Sequence, residues 1–374
     1  MTDMRSGRRR FLASFAAVSF LIAFHGSVAS AAITPDGAII KIAFGSCAKQ
    51  WLDQPIWNAV LESRPDVFLF LGDAIYGDYD GEKAFVPNKQ TLLRDWGRLG
   101  AQPGYRALRE QVPVMATWDN HDYGKHDGGA EFALKETSKR LFLDFFGEPT
   151  DSERRTTPGI YDARIVGPVG RRVQIILLDT RYFKGPYLKD NRSKAEKNAA
   201  GLVGSMGNYV PNEDPDVSLL GEAQWQWLER QLLMPAEVRL IASSTQVVND
   251  EKNMDEWGNY PLERRRLFDL IESTGASGVL LLSGNVHYTE ISRLERSTYP
   301  LVDFTSSGMT HTNEHYAGAE NRYRVAGPSA RKNFGLIEID WAAKPSPKIE
   351  LQAVGSEGST LFDYRVHLHQ LHIE

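Results

Sequence analysis

The sequence predicts an α/β protein in which two β-sheets pack face to face and helices cover their outer sides. In the first half of the chain, short apolar runs alternate with helical patterns, which is typical of parallel strands joined by helices. In the second half, strand patterns follow one another with fewer helices between them, so we expect a second sheet. The composition, 42% hydrophobic and 24% charged, is that of a globular protein rather than a disordered or membrane-embedded one.

The first half begins with a predicted strand over 38–44 and a helix over 55–62. The next apolar run, 65–71, is continuous, as expected for a strand that is covered on both faces. The pattern then predicts helices over 89–98 and 104–110, a strand over 112–117, a helix over 131–146, and a hairpin of strands over 160–166 and 172–178.

The second half begins with a predicted helix over 221–233. The strands predicted after it cover 239–244, 278–283, 290–294, 301–305, 334–340 and 348–354. Two long segments, 183–218 and 308–333, lack periodicity, and we predict them to be loops. Loops of this length are often binding loops, although exposed excursions without a role are an equal alternative.

The first residues differ from the rest of the chain. Arg8-Arg9-Arg10 precede an apolar run that extends to about Phe24, and the small residues Ala29-Ser30-Ala31 follow. This order predicts a signal peptide of the twin-arginine type over 1–31, followed by one large domain over 32–374. A membrane anchor is the alternative, but the run is short for a spanning helix. We therefore expect the twin-arginine export machinery as a partner and a periplasmic or secreted location.

Charge and cysteine content narrow the class of protein. Residues 1–31 carry four Arg and one Asp, so the remaining chain has a net charge of −8. An acidic surface argues against nucleic acid as a regulatory partner. Cys47 is the single cysteine, so it cannot form an internal disulfide. It is therefore inert, reactive or a metal ligand.

Potential metal ligands follow four of the predicted strands. Cys47 follows the first strand, Asp73 the second, Asn120 the third, and His287 follows a late strand. Because the carboxyl ends of parallel strands line one crevice, we expect these groups to converge. Each has a simpler alternative when taken singly: a turn for Asp73, a hydrogen-bonded loop for Asn120, a small buried apolar group for Cys47 and a core histidine for His287.

The types of ligand indicate two kinds of cation. Asp73 can bridge two ions, and Tyr76 lies three residues further on, within reach of the same ion. Thiolate and phenolate together favour a ferric ion. The neutral amide oxygens of Asn120 and Asn285 suit a harder divalent ion beside it.

Several motifs together resemble the alkaline phosphatase D (PhoD-like) family of metallophosphoesterases. The motifs are Gly45-Ser46-Cys47, Phe70-Leu71-Gly72-Asp73-Ala74-Ile75-Tyr76, Thr117-Trp118-Asp119-Asn120-His121-Asp122, Leu178-Asp179-Thr180-Arg181 and Ser283-Gly284-Asn285-Val286-His287. The resemblance implies a four-layer αββα sandwich of two mixed sheets flanked by helices. It also implies hydrolysis of phosphate mono- or diesters, iron and calcium as metals, and twin-arginine export.

The resemblance implies a role for each motif residue. By matching position, Cys47, Asp73, Tyr76 and His287 would hold iron, with Asp73 as a bridge. Asn120 and Asn285 would lie on the side of the second metal. A hydroxide shared by the two cations would attack phosphorus in line with the leaving alkoxide.

Two catalytic residues and two substrate contacts are predicted as well. His121 would protonate the leaving group, and Asp122 or Asp119 would orient His121 or support the residues that bind the metals. Arg181 would contact phosphate or, alternatively, pair with a neighbouring acid. His311, in the second long loop, is a candidate substrate contact.

This chain departs from the family pattern at three positions. Many members carry Asp where Asn120 stands and Asp or His where Asn285 stands, and Gln246 occupies the region of a histidine ligand in the wider superfamily. The two amides motivate an alternative from another class, a non-catalytic exported protein that binds metal or polyanions on a phosphatase scaffold. Hydrolysis or oxidation of a non-phosphate substrate by the same metals is a third alternative, because a fold does not determine a function.

Overall fold

A computed structural model describes residues 37–199 and 207–373. The predicted signal peptide, 1–31, lies outside these residues. Within the described ranges, no helix combines the length and apolar character needed to cross a bilayer.

The strands and helices alternate in the first half of the chain, and strands dominate the second. The strands are β1 (Lys41–Gly45), β2 (Val67–Leu71), β3 (Tyr79–Asp80), β4 (Lys83–Ala84), β5 (Val114–Thr117), β6 (Asp162–Val166), β7 (Val173–Leu177), β8 (Leu188–Lys189), β9 (Tyr209–Val210), β10 (Val238–Ala242), β11 (Val279–Ser283), β12 (Thr289–Leu294), β13 (Leu301–Ser306), β14 (Arg324–Ser329), β15 (Asn333–Asp340), β16 (Lys348–Gly355) and β17 (Thr360–His367). The α-helices are α1 (Ile56–Glu62), α2 (Lys89–Ala101), α3 (Pro103–Gln111), α4 (Asn120–Tyr123), α5 (Lys135–Phe145), α6 (Lys194–Ala199), α7 (Glu222–Leu232), α8 (Pro261–Ser273) and α9 (Glu314–Ala317). Short 3₁₀ helices cover Glu153–Arg155, Trp257–Asn259 and Leu368–Leu371.

The first sheet is mixed. In the described part of the chain it has six strands in the order β17-β16-β15-β1-β2-β5. β1, β2 and β5 run parallel, while β15 pairs antiparallel with β1, and β16 and β17 continue the antiparallel part. The carboxyl ends of β1, β2 and β5 therefore meet at one edge of this sheet.

The second sheet is also mixed. Its seven described strands have the order β14-β12-β13-β11-β10-β7-β6. β7, β10, β11 and β13 run parallel at its centre, and β6, β12 and β14 pair antiparallel with their neighbours. The two remaining pairs, β3-β4 and β8-β9, are short two-stranded antiparallel sheets outside both large sheets.

Successive side chains along a strand point to opposite faces of the sheet, so one strand contributes to the packing on both of its sides. On β2, Val67, Leu69 and Leu71 belong to the cluster between the two sheets, whereas Phe68 and Phe70 belong to the cluster under α1, α2, α3 and α5. The ring centroids of Phe44 from the first sheet and Phe304 from the second lie 4.9 Å apart. Burying each phenylalanine contributes roughly 1.5–3 kcal/mol.

Two helices cover the opposite side of the second sheet. Trp225 and Leu228 of α7 and Leu267 and Ile271 of α8 are buried against it. The order of layers is therefore helices, sheet, sheet, helices. The prediction of a four-layer αββα sandwich with two mixed sheets is confirmed.

Several elements of the described chain were not predicted from the sequence, among them α8, β14 and β17. The helix α8 carries a run of charged residues, Glu263 to Arg266, that hides its apolar face in the sequence pattern. The strands β14 and β17 are edge strands with few buried side chains, so their hydrophobic signal is weak. The prediction of a loop over the whole of 308–333 was wrong, because α9 and β14 lie within it. The prediction of a loop over the whole of 183–218 was wrong as well, because β8, α6 and β9 lie within that segment.

Candidate metal centre

The backbone is unusual where the strands end. Cys47, Asp73, Asn285 and His287 have φ values of 63°, 52°, 70° and 59°, in the left-handed region that non-glycine residues rarely adopt. Each such residue costs about 1–2 kcal/mol. Strain of this kind persists where the surrounding structure enforces it, commonly at functional sites. Four strained residues at the ends of β1, β2 and β11 therefore indicate a site at this edge of the sandwich.

Three of these residues converge. A ligand atom from each of Cys47, Asp73 and His287 lies within 4.8 Å of the others. The Cys47 thiol donates to Asp73 Oδ2 over 3.4 Å, and the hydroxyl of Tyr76 lies 3.2 Å from Nε2 of His287. The four residues predicted to hold iron thus form one cluster, which draws on both sheets.

The protonation behaviour of this cluster suits a cation. Burial, and then the neighbouring Asp73 carboxylate, raise the pKa of the Cys47 thiol. Burial likewise raises the pKa of the Asp73 carboxyl and of the Tyr76 phenol. Burial also lowers the pKa of His287 to about 3, so its imidazole is neutral at neutral pH. Three buried acids beside a neutral imidazole form a donor set that a bound cation would stabilise.

Ser307 was not predicted, yet it supports two of these ligands. Its hydroxyl lies 3.1 Å from Sγ of Cys47 and accepts the backbone N–H of His287 over 2.8 Å. A hydrogen bond to a thiolate favours the charged form of that group. Nothing in the sequence around Ser307 distinguishes it from the neighbouring Ser306.

Asn120 and Asn285, the two amides predicted to bind a second metal, each donate a hydrogen bond from the side-chain nitrogen to a neighbouring acceptor. Nδ2 of Asn120 donates to Oδ1 of Asp127 over 3.2 Å, and Nδ2 of Asn285 donates to the backbone oxygen of Asp255 over 2.9 Å. Oδ1 of Asn120 is buried, and no described residue donates a hydrogen bond to it. A buried amide oxygen without a donor fits a hard divalent ion.

His121 has a different orienting partner from the one predicted. Its Nδ1 lies 2.7 Å from Oδ1 of Asp78, and its ring stacks on Tyr76 with centroids 4.1 Å apart. Asp78, and neither Asp122 nor Asp119, occupies that nitrogen, so of the two expectations for these acids the one that remains is support of the residues around the ligands. With Nδ1 engaged, Nε2 is the ring nitrogen that remains for substrate.

Asp122 bridges two loops. Its Oδ1 accepts the backbone N–H of Ile75 and its Oδ2 accepts that of Asp119, each over 2.9 Å. Burial raises its pKa to about 7 against the opposing effect of these two donors. The carboxylate thereby joins the loop of Asp73 to the loop of Asn120, while its predicted catalytic role stays a prediction.

The two predicted substrate contacts have different surroundings. The Arg181 side chain is 0% exposed and bonds to the carboxylates of Asp119 and Asp255. The structure thus shows the alternative that the sequence left open, a pairing with neighbouring acids. His311 lies beside the cluster, with Nε2 at 3.1 Å from the Tyr76 hydroxyl.

Gln246 lies fully buried with both ends of its amide engaged. Nε2 donates to Glu290 over 2.9 Å and to Thr305 over 2.8 Å, and Oε1 accepts from Lys252 over 2.6 Å. Its carboxamide therefore belongs to a buried ion-pair network.

Comparison with known proteins places this chain in a family. The family model of the PhoD-like phosphatases matches residues 42–327. Alkaline phosphatase D of Bacillus subtilis (strain 168) is 22% identical to this chain over 351 residues, which cover 83% of this chain and 54% of that protein. The chain thus spans about half the length of this curated relative.

Two solved structures share the architecture. The structure of PhoD superposes with a TM-score of 0.67 at 16% identity, over 92% of this chain and 73% of that one. GAP50, described as the anchor in the inner membrane complex of Plasmodium, superposes with a TM-score of 0.50 at 10% identity, over 90% of each chain. At these identities the structural matches show the fold alone, whereas the family model covers most of the sequence. This chain belongs to the PhoD-like phosphatase family.

Proposed function

We propose that this protein is a phosphoric ester hydrolase that cleaves phosphate mono- or diesters with the aid of bound metal ions. The observation that carries the proposal is the convergence of Cys47, Asp73, Tyr76 and His287 beside His121, in a chain of the PhoD-like phosphatase family. The buried thiol, phenol and carboxyl support a ferric ion, and the oxygen of Asn120 supports calcium or another divalent ion next to it.

When bound, the two ions would supply the nucleophilic hydroxide at neutral pH and neutralise charge on the phosphoryl oxygens. The chain's own residues position the reacting groups and supply a proton to the leaving oxygen. Asp78 fixes Nδ1 of His121, so Nε2 can hold the proton that the leaving oxygen requires. Asp122 holds the loops of Asp73 and His121 in register.

The location is part of the proposal. Arg8 and Arg9 with the apolar run behind them support export of the folded protein by the twin-arginine machinery. Replacing both arginines, Arg8→Lys and Arg9→Lys, should retain the protein in the cytoplasm, as measured by cell fractionation. Undiminished export of this variant would contradict the route. Export of the unaltered protein by a strain that lacks the twin-arginine machinery would contradict it as well.

The activity test uses p-nitrophenyl phosphate and bis-p-nitrophenyl phosphate, with and without a chelator. We expect turnover that the chelator abolishes and that Asp73→Asn or His121→Ala lowers by at least about 100-fold. Tyr182→Phe serves as the matched control, because the hydroxyl of Tyr182 bonds to Glu136 outside the site. Turnover that neither site substitution changes would refute the phosphoesterase.

Elemental analysis and a visible spectrum test the metals. A ferric ion bound by thiolate or phenolate should give a charge-transfer band that weakens in Cys47→Ser and in Tyr76→Phe. A colourless, fully active enzyme would rule out iron at these two residues.

The amides at 120 and 285 support a second candidate function, a non-catalytic protein that binds metal or polyanions. The resemblance implies Asp at position 120 and Asp or His at position 285 in many family members, so the two amides leave the second site with less negative charge. Stoichiometric iron or calcium without turnover of either ester would favour this candidate over the hydrolase.

A further inference from the structure

The segment 183–218, whose role the sequence left open, carries two stacked tyrosines. The rings of Tyr187 and Tyr209 lie with centroids 4.2 Å apart and planes inclined by 21°. The hydroxyl of Tyr209 donates to the carboxylate of Asp127, and that of Tyr187 donates to the carboxylate of Asp255. One pair of rings therefore holds two acids that come from separate parts of the chain.

Each of these acidic residues in turn holds one amide of the candidate second metal site. Asp127 accepts from Nδ2 of Asn120 through its side chain, and Asp255 accepts from Nδ2 of Asn285 through its backbone oxygen. Carboxylate and carbonyl oxygens only accept hydrogen bonds, so they select the NH₂ end of each amide. The opposite end, Oδ1, is thereby turned away from the acids. In Asn120 this oxygen is buried, and no described residue donates to it.

Further contacts hold the two acids in place. Nζ of Lys184, from the same long segment, donates to the backbone oxygen of Asp127 over 2.9 Å. Asp127 itself has a φ of 49°, a left-handed conformation that its surroundings must maintain. On the other side, the buried guanidinium of Arg181 bonds to the carboxylate of Asp255. The long segment is thus connected to both amides through ordered polar groups.

We propose that Tyr187 and Tyr209 are positioning residues that hold Asp127 and Asp255 so that the amide oxygens of Asn120 and Asn285 face a hard divalent cation. This inference rests on the second metal of the proposed function and gives the long segment a role in binding it. Outer partners of metal ligands typically change metal affinity by about 10–100-fold when they are removed.

The arrangement also explains why an amide suits position 120. An aspartate there would place a second carboxylate about 3 Å from that of Asp127, and two carboxylates so close do not both ionise. Exchanging the two residue types would restore the hydrogen bond with its direction reversed. The amide then at position 127 would donate from Nδ2 to the carboxylate at position 120 and accept the Tyr209 hydroxyl with Oδ1. Asparagine also tolerates the left-handed backbone at position 127.

The test is calorimetric titration of Ca²⁺ into the full exported protein, with the visible band recorded on the same samples. We expect Tyr187→Phe/Tyr209→Phe to weaken Ca²⁺ binding by about 10–100-fold and to leave the band unchanged, because neither tyrosine contacts Cys47 or Tyr76. Tyr182→Phe is the matched control and should bind Ca²⁺ like the unaltered protein. Asn120→Asp should weaken binding, and the exchanged pair Asn120→Asp/Asp127→Asn should regain at least about tenfold.

The inference would be overturned if the unaltered protein did not bind Ca²⁺, or if binding were undiminished after removal of both hydroxyls. An equal loss of Ca²⁺ binding in the control, or loss of the visible band together with Ca²⁺ binding, would overturn it as well. An exchanged pair that binds no better than Asn120→Asp would also overturn it. Failure of the proposed hydrolase activity can be distinguished from failure of this inference, because Ca²⁺ binding that depends on the two tyrosines can occur without turnover. That result would remove the proposed activity and leave the positioning role.

Discussion

Replacing Asp122 by asparagine separates a structural role of this carboxylate from a catalytic one. Its two oxygens accept the backbone N–H groups of Ile75 and Asp119, each over 2.9 Å, in a fully enclosed position. The side-chain amide of asparagine has one oxygen, so one of these N–H groups would face an NH₂ group instead. The loop of Asp73 and the loop of Asn120 would then lose one of their connections.

The cost follows from two contributions. A hydrogen bond to a charged group contributes about 1.5–3 kcal/mol, and a buried N–H left without an acceptor costs about 1–3 kcal/mol. We therefore expect Asp122→Asn to lower the free energy of unfolding by about 2.5–6 kcal/mol. A domain of ordinary stability, about 5–15 kcal/mol, would remain folded but become marginal.

Urea denaturation of the metal-loaded protein measures this loss, and the pH dependence of kcat measures the chemistry. We expect lower stability and lower metal content, with an unchanged shape of the pH profile for the loaded fraction. Asp303→Asn is the control, because Asp303 is equally buried and also accepts two backbone N–H groups, from Val247 and Val248. Both of these N–H groups donate to Oδ2, which asparagine can replace with its single side-chain oxygen, so this variant should lose less stability than Asp122→Asn and keep its activity per folded molecule. A stable Asp122→Asn with a shifted pH profile would refute the reasoning and make Asp122 an acid–base catalyst.

Three further outcomes are expected. A Cβ at position 72 would lie 2.5 Å from Cβ of Asp119 on a backbone with φ of 95°, so Gly72→Ala should cost about 2–5 kcal/mol in urea denaturation, and an unchanged midpoint would contradict this. Asp78→Ala should lower kcat at least about tenfold at unchanged metal content by elemental analysis, because His121 loses its orienting acceptor; an unchanged kcat would exclude that role. Burial raises the pKa of the Asp73 carboxyl above its ordinary value of 3.8. The folded, metal-free protein therefore binds this proton more tightly than the unfolded chain does, and the stability that results is lost as the pH rises above 3.8. Calorimetry should therefore show a thermal midpoint that falls as the pH rises above 3.8 only after chelation, and a flat midpoint would count against it.

The central sheets and the first ligands were predictable because both depend on local pattern. The apolar run that became β2 is buried on both faces, so its period and its end at Gly72-Asp73 were visible in the sequence. The same holds for β1 before Cys47 and for β11 before Asn285. Parallel strands place such ends together, which is why a cluster could be expected from order alone.

The supporting residues were not predictable, since their partners are distant in the chain. Asp78, Asp127 and Asp255 are acids in polar segments, and nothing nearby shows which side chain each will meet. Arg181 illustrates the same limit. The sequence offered a phosphate contact or an ion pair, and only the fold, which buries the guanidinium between two carboxylates, distinguishes them.

The cluster draws its ligands from both sheets, with Cys47 and Asp73 from the first and His287 from the second. An ion held there would cross-link the sandwich at one edge, and at a concentration about a thousandfold above its Kd it would add about 4 kcal/mol to folding. The single cysteine of this chain excludes an internal disulfide, so this link has no covalent substitute. Scarcity of metal would then shorten the lifetime of the folded protein as well as stop the proposed hydrolysis.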